Sequence, residues 1–429
     1  MYKKLIWGLE IYLLLSVVLY FFGPLRFPVL NVGKLVFFLA LYHIAILVGF
    51  FIGYHKISMK PRVTVRYSSK LPTAFLFFCG TLIHILFSFL SIFQKVGTVS
   101  LSAVINSVQF GFGNAKEAYL QTLELSSGST SSLITTLTTL LSPLTYAILP
   151  LGIYFYRSLN KSNKLMLVIA TLLSAVSFFI TGTNIGIFRI VVTITAILLL
   201  RMGNNEKKLV SKKERPTYRL AVFSIILLIG FIYIFSNNVT SRMFGMGTSV
   251  SGIPIDFDSW LYKVMPAGLK IPFVLFVSYF SQGYHGMALA MNYEWTSTFP
   301  LGSSIFLMSK SQSIGIDSMS LYYNTYIVKM SSFWNPSVNW HTAYTWMAND
   351  VSFWGVAIYM FLLGLFLAVT YREAHRGDTL SILLYPLLLL IALFLPMNNN
   401  ILSNPLTFMP FFVFITVFII TKQLSVIKK

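Results

Sequence analysis

Apolar runs longer than about 18 residues recur along this chain, joined mostly by short polar links. A run of that length is what an α-helix needs to cross roughly 30 Å of hydrocarbon. Hydrophobic residues fill 56% of the 429 positions and charged residues only 10%. A segment surrounded by lipid must satisfy its own backbone hydrogen bonds, and continuous rather than alternating apolarity selects helices over a β-barrel. The sequence therefore predicts an all-α, multi-pass integral membrane protein.

About ten transmembrane helices are expected: Leu5–Phe22, Leu35–Tyr54, Leu71–Phe93, Leu133–Tyr156, Leu165–Ile180, Ile185–Leu200, Leu220–Phe235, Val351–Thr370, Leu380–Leu395 and Leu406–Thr421. The net charge of +20 would suit a nucleic-acid binder until the charges are located. Of the 32 Lys and Arg, 22 fall in links on one side of this arrangement, accompanied by only four acids. That is the positive-inside bias, with some attraction to anionic lipid, and it places both termini in the cytoplasm. Nucleic acid is thereby excluded as a partner. The single cysteine, Cys79, lies inside an apolar run, so no disulfide framework or cysteine metal site is expected. The start, Met-Tyr-Lys-Lys and an apolar run, resembles a signal sequence, but Tyr20, Phe21 and Phe22 stand where small cleavage residues would be, so a retained anchor is expected.

One link is far longer than the dozen or so residues that ordinary connections reach. It covers 237–350, on the non-cytoplasmic side, as a loop domain between helices seven and eight, and divides the chain into 1–236, 237–350 and 351–429. It holds Arg242, His285, His341 and five of the twelve acidic residues. Within it, 269–291 is apolar enough to span, yet Pro272, Gln282, Gly283, His285 and Gly286 interrupt it, so a re-entrant or interface-lying element is expected.

Several residues could carry chemistry. Arg189 lies about one turn inside the outer end of helix six, where a buried arginine costs about 2.5–3.5 kcal/mol and normally faces a partner. Its guanidinium fork suits a phosphate or carboxylate, although snorkelling to the interface is the plainer explanation. Arg242 follows helix seven and could face the same space; a solvated loop arginine is its plainer role. Arg26, Lys263 and Lys270 are weaker candidates of the same kind. His341, in Asn339-Trp-His-Thr-Ala-Tyr344, can exchange a proton or donate to a phosphate oxygen. Asp350 could act as a base or complement the dipole of helix eight. Gly283 and Gly286 leave room for a ligand or a neighbouring backbone. Tyr279, Tyr284 and Tyr293 offer sugar-stacking faces near His285 and Glu294, and Asp317 completes the acidic candidates. No GxxxxGK[ST], HExxH or GxSxG motif occurs, and the acids are too scattered for a di-metal site, so metal-independent chemistry is expected.

Ten helices, a large outer loop before the last three, and an arginine on the helix after a Thr-Gly turn resemble the bacterial O-antigen polymerases (Wzy-type), which polymerise oligosaccharide repeat units. Tyr279-Phe-Ser-Gln-Gly-Tyr-His-Gly286 is similar to their aromatic Ser-Gln-Gly-Tyr run, and Asp350-Val-Ser-Phe-Trp-Gly355 to their entry into a late helix. His341-Thr-Ala-Tyr344 resembles the histidine motif of the related O-antigen ligases. The family's arginine usually follows its Thr-Gly turn sooner; here Arg189 comes seven residues after Gly182. The resemblance covers the whole chain in layout and three short stretches in motif.

It implies a substrate on undecaprenyl diphosphate at the outer leaflet of the bacterial cytoplasmic (inner) membrane, with no cofactor. The growing chain would leave its lipid diphosphate and join a new lipid-linked unit. Arg189 and Arg242 would stabilise the leaving diphosphate. Asp350 or His341 would be the base, and Tyr284, His285 and Glu294 would contact sugar. A flippase and chain-length regulator proteins are the partners expected of such an enzyme. The alternatives are an O-antigen ligase-type glycosyltransferase, with a different acceptor, and a polysaccharide transporter or flippase. Transporters favour inverted repeats and midplane polar residues, and no repeat is visible in this chain.

Overall fold

The computed structural model describes residues 2–61, 74–98, 100–128, 133–206, 222, 226, 229–230, 232–238, 248–336 and 338–426. Helices α1 (Tyr2–Phe22) and α2 (Val32–His55) lead into a short strand β1 (Ile57–Pro61) and α3 (Ala74–Val96). Two shorter helices, α4 (Leu101–Gly113) and α5 (Ala115–Gly128), precede α6 (Leu133–Leu140) and α7 (Ser142–Tyr154). Next comes a hairpin of α8 (Lys161–Ile180) and α9 (Asn184–Glu206). Two-residue strands β2 (Ser249–Val250) and β3 (Ile253–Pro254) are followed by α10 (Trp260–Val264) and the long α11 (Lys270–Ala290). Short helices α12 (Ile305–Ser311), α13 (Ser318–Tyr323) and α14 (Tyr326–Lys329) lead to α15 (Ala343–His375). The described chain ends with α16 (Thr379–Phe394), α17 (Asn400–Ser403), α18 (Pro405–Thr421) and β4 (Lys422–Val426).

The chain is an α-helical, multi-pass membrane protein. Among the described residues six helices, α1, α2, α3, α8, α9 and α15, are long and apolar enough to cross a bilayer, and α6 with α7 makes a bent seventh. The shorter α16 and α18 are equally apolar. Half of the helix expected over 220–235 lies outside the described residues, as do most of the basic segment 201–219 and Arg62, Arg66 and Lys70.

Three boundaries differ from the sequence expectation, each for a local reason. The expected single helix over 133–156 is broken by 48° between α6 and α7. Pro143 stands in the first turn of α7, where it has no N–H to give and crowds the carbonyl one turn back. The helix expected from Val351 begins at Ala343, because the Thr342 hydroxyl accepts from the Thr345 amide at 3.2 Å and caps it. It is interrupted at Ser352, whose φ of 61° lies where a side chain is strained. The expected interruptions over 269–291 do not break α11, which is one continuous helix of 21 residues.

The ends of the helices sort into two faces. On the terminal face the Tyr2 ring stacks on Tyr54 at 3.9 Å, and β1 and β4 pair antiparallel from Ile57↔Val426 to Pro61↔Lys422. There too Arg372 donates to the Tyr54 carbonyl at 2.7 Å and Lys422 pairs with Asp378 at 2.7 Å. On the opposite, loop face, Leu25 bridges to Ile255, and Asn31 donates to the Ala288 carbonyl at the last turn of α11. Ser304 donates to the Leu402 carbonyl there. Both described chain ends thus lie on one face; 248–342 meets the other, with α11 running alongside α1 as far as Tyr12.

The central contact is between α2 and α15, which touch backbone to backbone. A Cβ at Gly49 would fall on the Phe361 carbonyl oxygen, one at Gly53 on that of Leu365, and one at Gly364 on that of Ile46. Gly49 and Gly53 stand four residues apart, the small-xxx-small spacing that lets membrane helices approach where hydrophobic driving force is absent. Adding a methyl group here forces a backbone shift, at a cost of about 1–3 kcal/mol. Gly49→Ala and Gly364→Ala should each lower the thermal unfolding midpoint of the detergent-solubilised protein by several degrees. Gly8→Ala, where nothing lies within 4 Å, should leave it unchanged or raise it. Equal midpoints for all three would refute this close contact.

Candidate functional site

Helices α3, α7, α8 and α9 line a partly open cavity of about 250 Å³ in the apolar bundle, with Leu406 and Thr407 of α18 at its edge. Its wall is largely apolar, and into it each helix turns a few polar side chains. On α3 the residues are His84, Ser88, Ser91 and Lys95, spaced four, three and four apart, which is one face of a 3.6-residue helix. Thr171, Ser174 and Ser177 of α8 follow a three-residue step. From α9 come Gly186, Arg189 and Thr193, and from α7 Ser142, Thr145 and Tyr146. The break before α7 sets these last three against the cavity.

The contacts are specific. Ser88 faces Ser174 at 3.4 Å and Ser91 faces Ser177 at 3.3 Å. Lys95 Nζ donates to the Ser177 carbonyl and hydroxyl at 3.1 and 2.6 Å. His84 places Nδ1 3.0 Å from the Thr145 carbonyl and Nε2 2.7 Å from Ser174 Oγ. The Arg189 guanidinium lies 5.6 Å from the centre of the Phe178 ring, a cation–π contact. That ring sits over Gly186, where a Cβ would overlap it. Among the described residues, no carboxylate lines the cavity and none pairs with Arg189. Towards the loop face, Lys95 also borders a hollow of about 280 Å³ shared with Asn106, Ser107 and Gln121.

Of the residues that the sequence singles out, Arg189 alone faces this cavity. Arg242 lies outside the described residues. The buried Asp350 carboxylate accepts from the amides of Gly302 and Ser303 at 2.8 and 3.0 Å and from the Thr298 hydroxyl at 3.0 Å. It anchors the turn over 298–303 onto α15. The Tyr284 hydroxyl is fully buried against Ser16 of α1 at 2.8 Å. The His285 ring packs against Trp334 and Phe27, with centroids 4.8 and 6.0 Å away. Glu294 is exposed, and its backbone carbonyl accepts from Lys329. Gly283 and Gly286 are occupied by neighbouring chain. A Cβ on the first would meet the Pro396 carbonyl, and on the second the His341 Nδ1 at 2.8 Å. Tyr293 borders a cleft of about 500 Å³ on the loop face, together with Lys34, Tyr326 and Trp354.

His84 and Lys95 are cavity residues that the sequence reading passed over. Their signal is present, since polar side chains at 84, 88, 91 and 95 of an otherwise apolar helix mark one face. Among the described residues no group of three or more His, Cys, Asp or Glu stands in a metal-binding arrangement. Comparison with protein-family models, curated proteins and solved structures finds no match for this chain.

His341 has a different consequence. It is 1% exposed, and neither ring nitrogen has a hydrogen-bond partner among the described residues. Burial alone pulls its pKa down to about 3, so it is neutral at any ordinary pH. A histidine that folds neutral stabilises fully above the unfolded value near 6.5, and this stability is lost as pH falls from there towards 3, by about 1.4 kcal/mol per unit. Between pH 7.5 and 4.5 the wild type should lose about 2–3 kcal/mol more than His341→Gln. Thermal unfolding of both proteins across that range checks it, and parallel losses would show that His341 does not resist protonation.

Proposed function

We propose that the cavity around Arg189 and Lys95 holds the diphosphate of an undecaprenyl-diphosphate-linked oligosaccharide, and that the protein is a glycosyltransferase polymerising such repeat units. One observation carries this reading. Two cations share a hydroxyl-lined cavity inside an apolar bundle, with no carboxylate among the described residues that line it. Cations placed in the membrane interior are costly unless paired, and a phosphate-bearing lipid head would supply the missing charge. An arginine fork and a lysine point charge both suit phosphoryl oxygens.

The chemistry follows from that occupancy. When the sugar–phosphate bond breaks, negative charge develops on the diphosphate, and cations already aimed at it stabilise that charge without reorganisation. The likeness to the O-antigen polymerases points the same way. Lys56, Arg372, Arg376 and Lys422 lie on the terminal face, which on the positive-inside rule is the cytoplasmic one. The cavity's Lys95 end then opens towards the outer leaflet of a bacterial cytoplasmic membrane. A flippase and a chain-length regulator would be partners in such a pathway.

A flippase for the same lipid is the second reading. The 48° break between α6 and α7 beside the cavity favours it, because broken helices are frequent at transport sites. A flippase moves lipid between leaflets and forms no bond.

Arg189→Ala and Lys95→Ala should each lower chain elongation by about 100- to 1000-fold, the usual cost of losing one donor to a developing oxyanion. In cells, long surface polysaccharide should disappear while single repeat units remain on their carrier. Unchanged chain length at normal protein levels would sink the reading. Purified protein that transfers lipid across vesicles without extending it would favour the flippase.

A further inference from the structure

Resting on the transferase reading above, we propose that Ser174 and His84 form the proton-transfer pair of the cavity, with Ser174 touching the acceptor hydroxyl and His84 taking its proton. The pair has the geometry for this. The Thr145 carbonyl, 3.0 Å from His84 Nδ1, can only accept, so Nδ1 carries a hydrogen and the neutral ring presents Nε2 as the acceptor. Ser174 Oγ stands 2.7 Å from Nε2 and 3.0 Å from the Ala170 carbonyl. Its single hydrogen can point to either. Directed at Nε2, it satisfies a neutral His84; directed at Ala170, it leaves Oγ to accept from a protonated one. The site therefore takes up a proton by rotating one hydroxyl, with no heavy atom displaced.

A ladder of hydroxyl contacts holding α3 to α8 would account for Ser88 with Ser174 and Ser91 with Ser177. It does not account for an imidazole tied to a third helix, α7, on the wall of a cavity that also holds two cations. The titratable and charged groups facing His84 across that cavity are Lys95 of α3, Arg189 of α9 and the Tyr146 phenol of α7. An arriving diphosphate brings the negative charge that a newly formed imidazolium requires.

The step balances. The acceptor oxygen forms a bond to the anomeric carbon as the carbon–oxygen bond to the diphosphate breaks, and its electron pair leaves on the diphosphate beside Arg189 and Lys95. The acceptor proton passes to Ser174 Oγ while the Ser174 hydrogen passes to His84 Nε2. The proton then leaves with the diphosphate, which restores neutral His84.

The test uses the full chain in nanodiscs, with farnesyl diphosphate as the binding probe and isolated lipid-linked repeat units as substrate. His84→Gln and Ser174→Ala should bind farnesyl diphosphate within about threefold of wild type yet lower turnover about a hundredfold or more. Ser174→Thr, which keeps the hydroxyl, should retain most of the rate and also reports on folding. The wild-type rate should fall on the acid side of its pH profile as imidazole protonates, and His84→Gln should lack that limb. Normal turnover in a folded His84→Gln, or an unchanged acid limb, would overturn the assignment of His84. If instead Arg189→Gln leaves farnesyl diphosphate binding intact, or wild type binds the probe and extends nothing, the underlying transferase reading fails.

Discussion

Hydrocarbon offers no hydrogen bonds, so each polar side chain inside this bundle must be answered by another part of the protein. Elsewhere the chain meets that demand by pairing its polar groups with one another. Glu10 of α1 meets His43 of α2 at 2.5 Å, Lys422 meets Asp378, and Arg372 and Arg376 both reach Glu373. In each of these contacts a carboxylate meets the basic group. The cavity between α3, α7, α8 and α9 departs from this practice. Among the described residues, Lys95 is held by the carbonyl and hydroxyl of Ser177, and Arg189 lies against the face of Phe178. Neutral partners position a cation without cancelling its charge, which leaves that charge free to act on a ligand.

The membrane class was legible because it rests on run length and composition, which tertiary context cannot reverse. The α8–α9 hairpin was legible too, since Thr181-Gly-Thr183 is a turn that needs Gly182 at φ 58°. Arg189 stood out as a lone charge in an apolar run. Lys95 escaped because it lies at the end of its run, where a lysine reads as an ordinary boundary marker. His84 escaped because one histidine among apolar residues looks like a satisfied core group. What separates them from those bland roles is the helical phase they share with Ser88 and Ser91, and that phase acquires meaning only when α8 is known to face it.

The long link uses its polar groups differently. Its length and its histidines and acids drew attention to 237–350, yet the described part uses its polar groups to fasten itself down. Asp350 gathers three donors from 298–303, and the Asn349 side chain ties the Tyr326 amide and the Gly302 carbonyl to α15. Gly283 and Gly286 let α11 lie against the chain at 341–342 and 396. A segment of this kind must bind its own backbone groups before it can bind anything else. Spacing cannot distinguish the two uses, because a carboxylate that holds a turn and one that holds a proton look alike in sequence.

The break at Pro143 connects these observations. A straight helix over 133–156 would continue in one direction; bent by 48°, it presents Ser142, Thr145 and Tyr146 of α7 to the cavity. The α6 half stays outside the core. It contains no buried residue, with Leu133 76% exposed and Leu140 58% exposed, yet Thr138 on its other side lines the cavity. One short helix therefore separates a cationic interior from the apolar surroundings. A ligand with a charged head and a long hydrocarbon tail needs both environments within a few ångströms of each other. A straight helix at this place would supply only one of them.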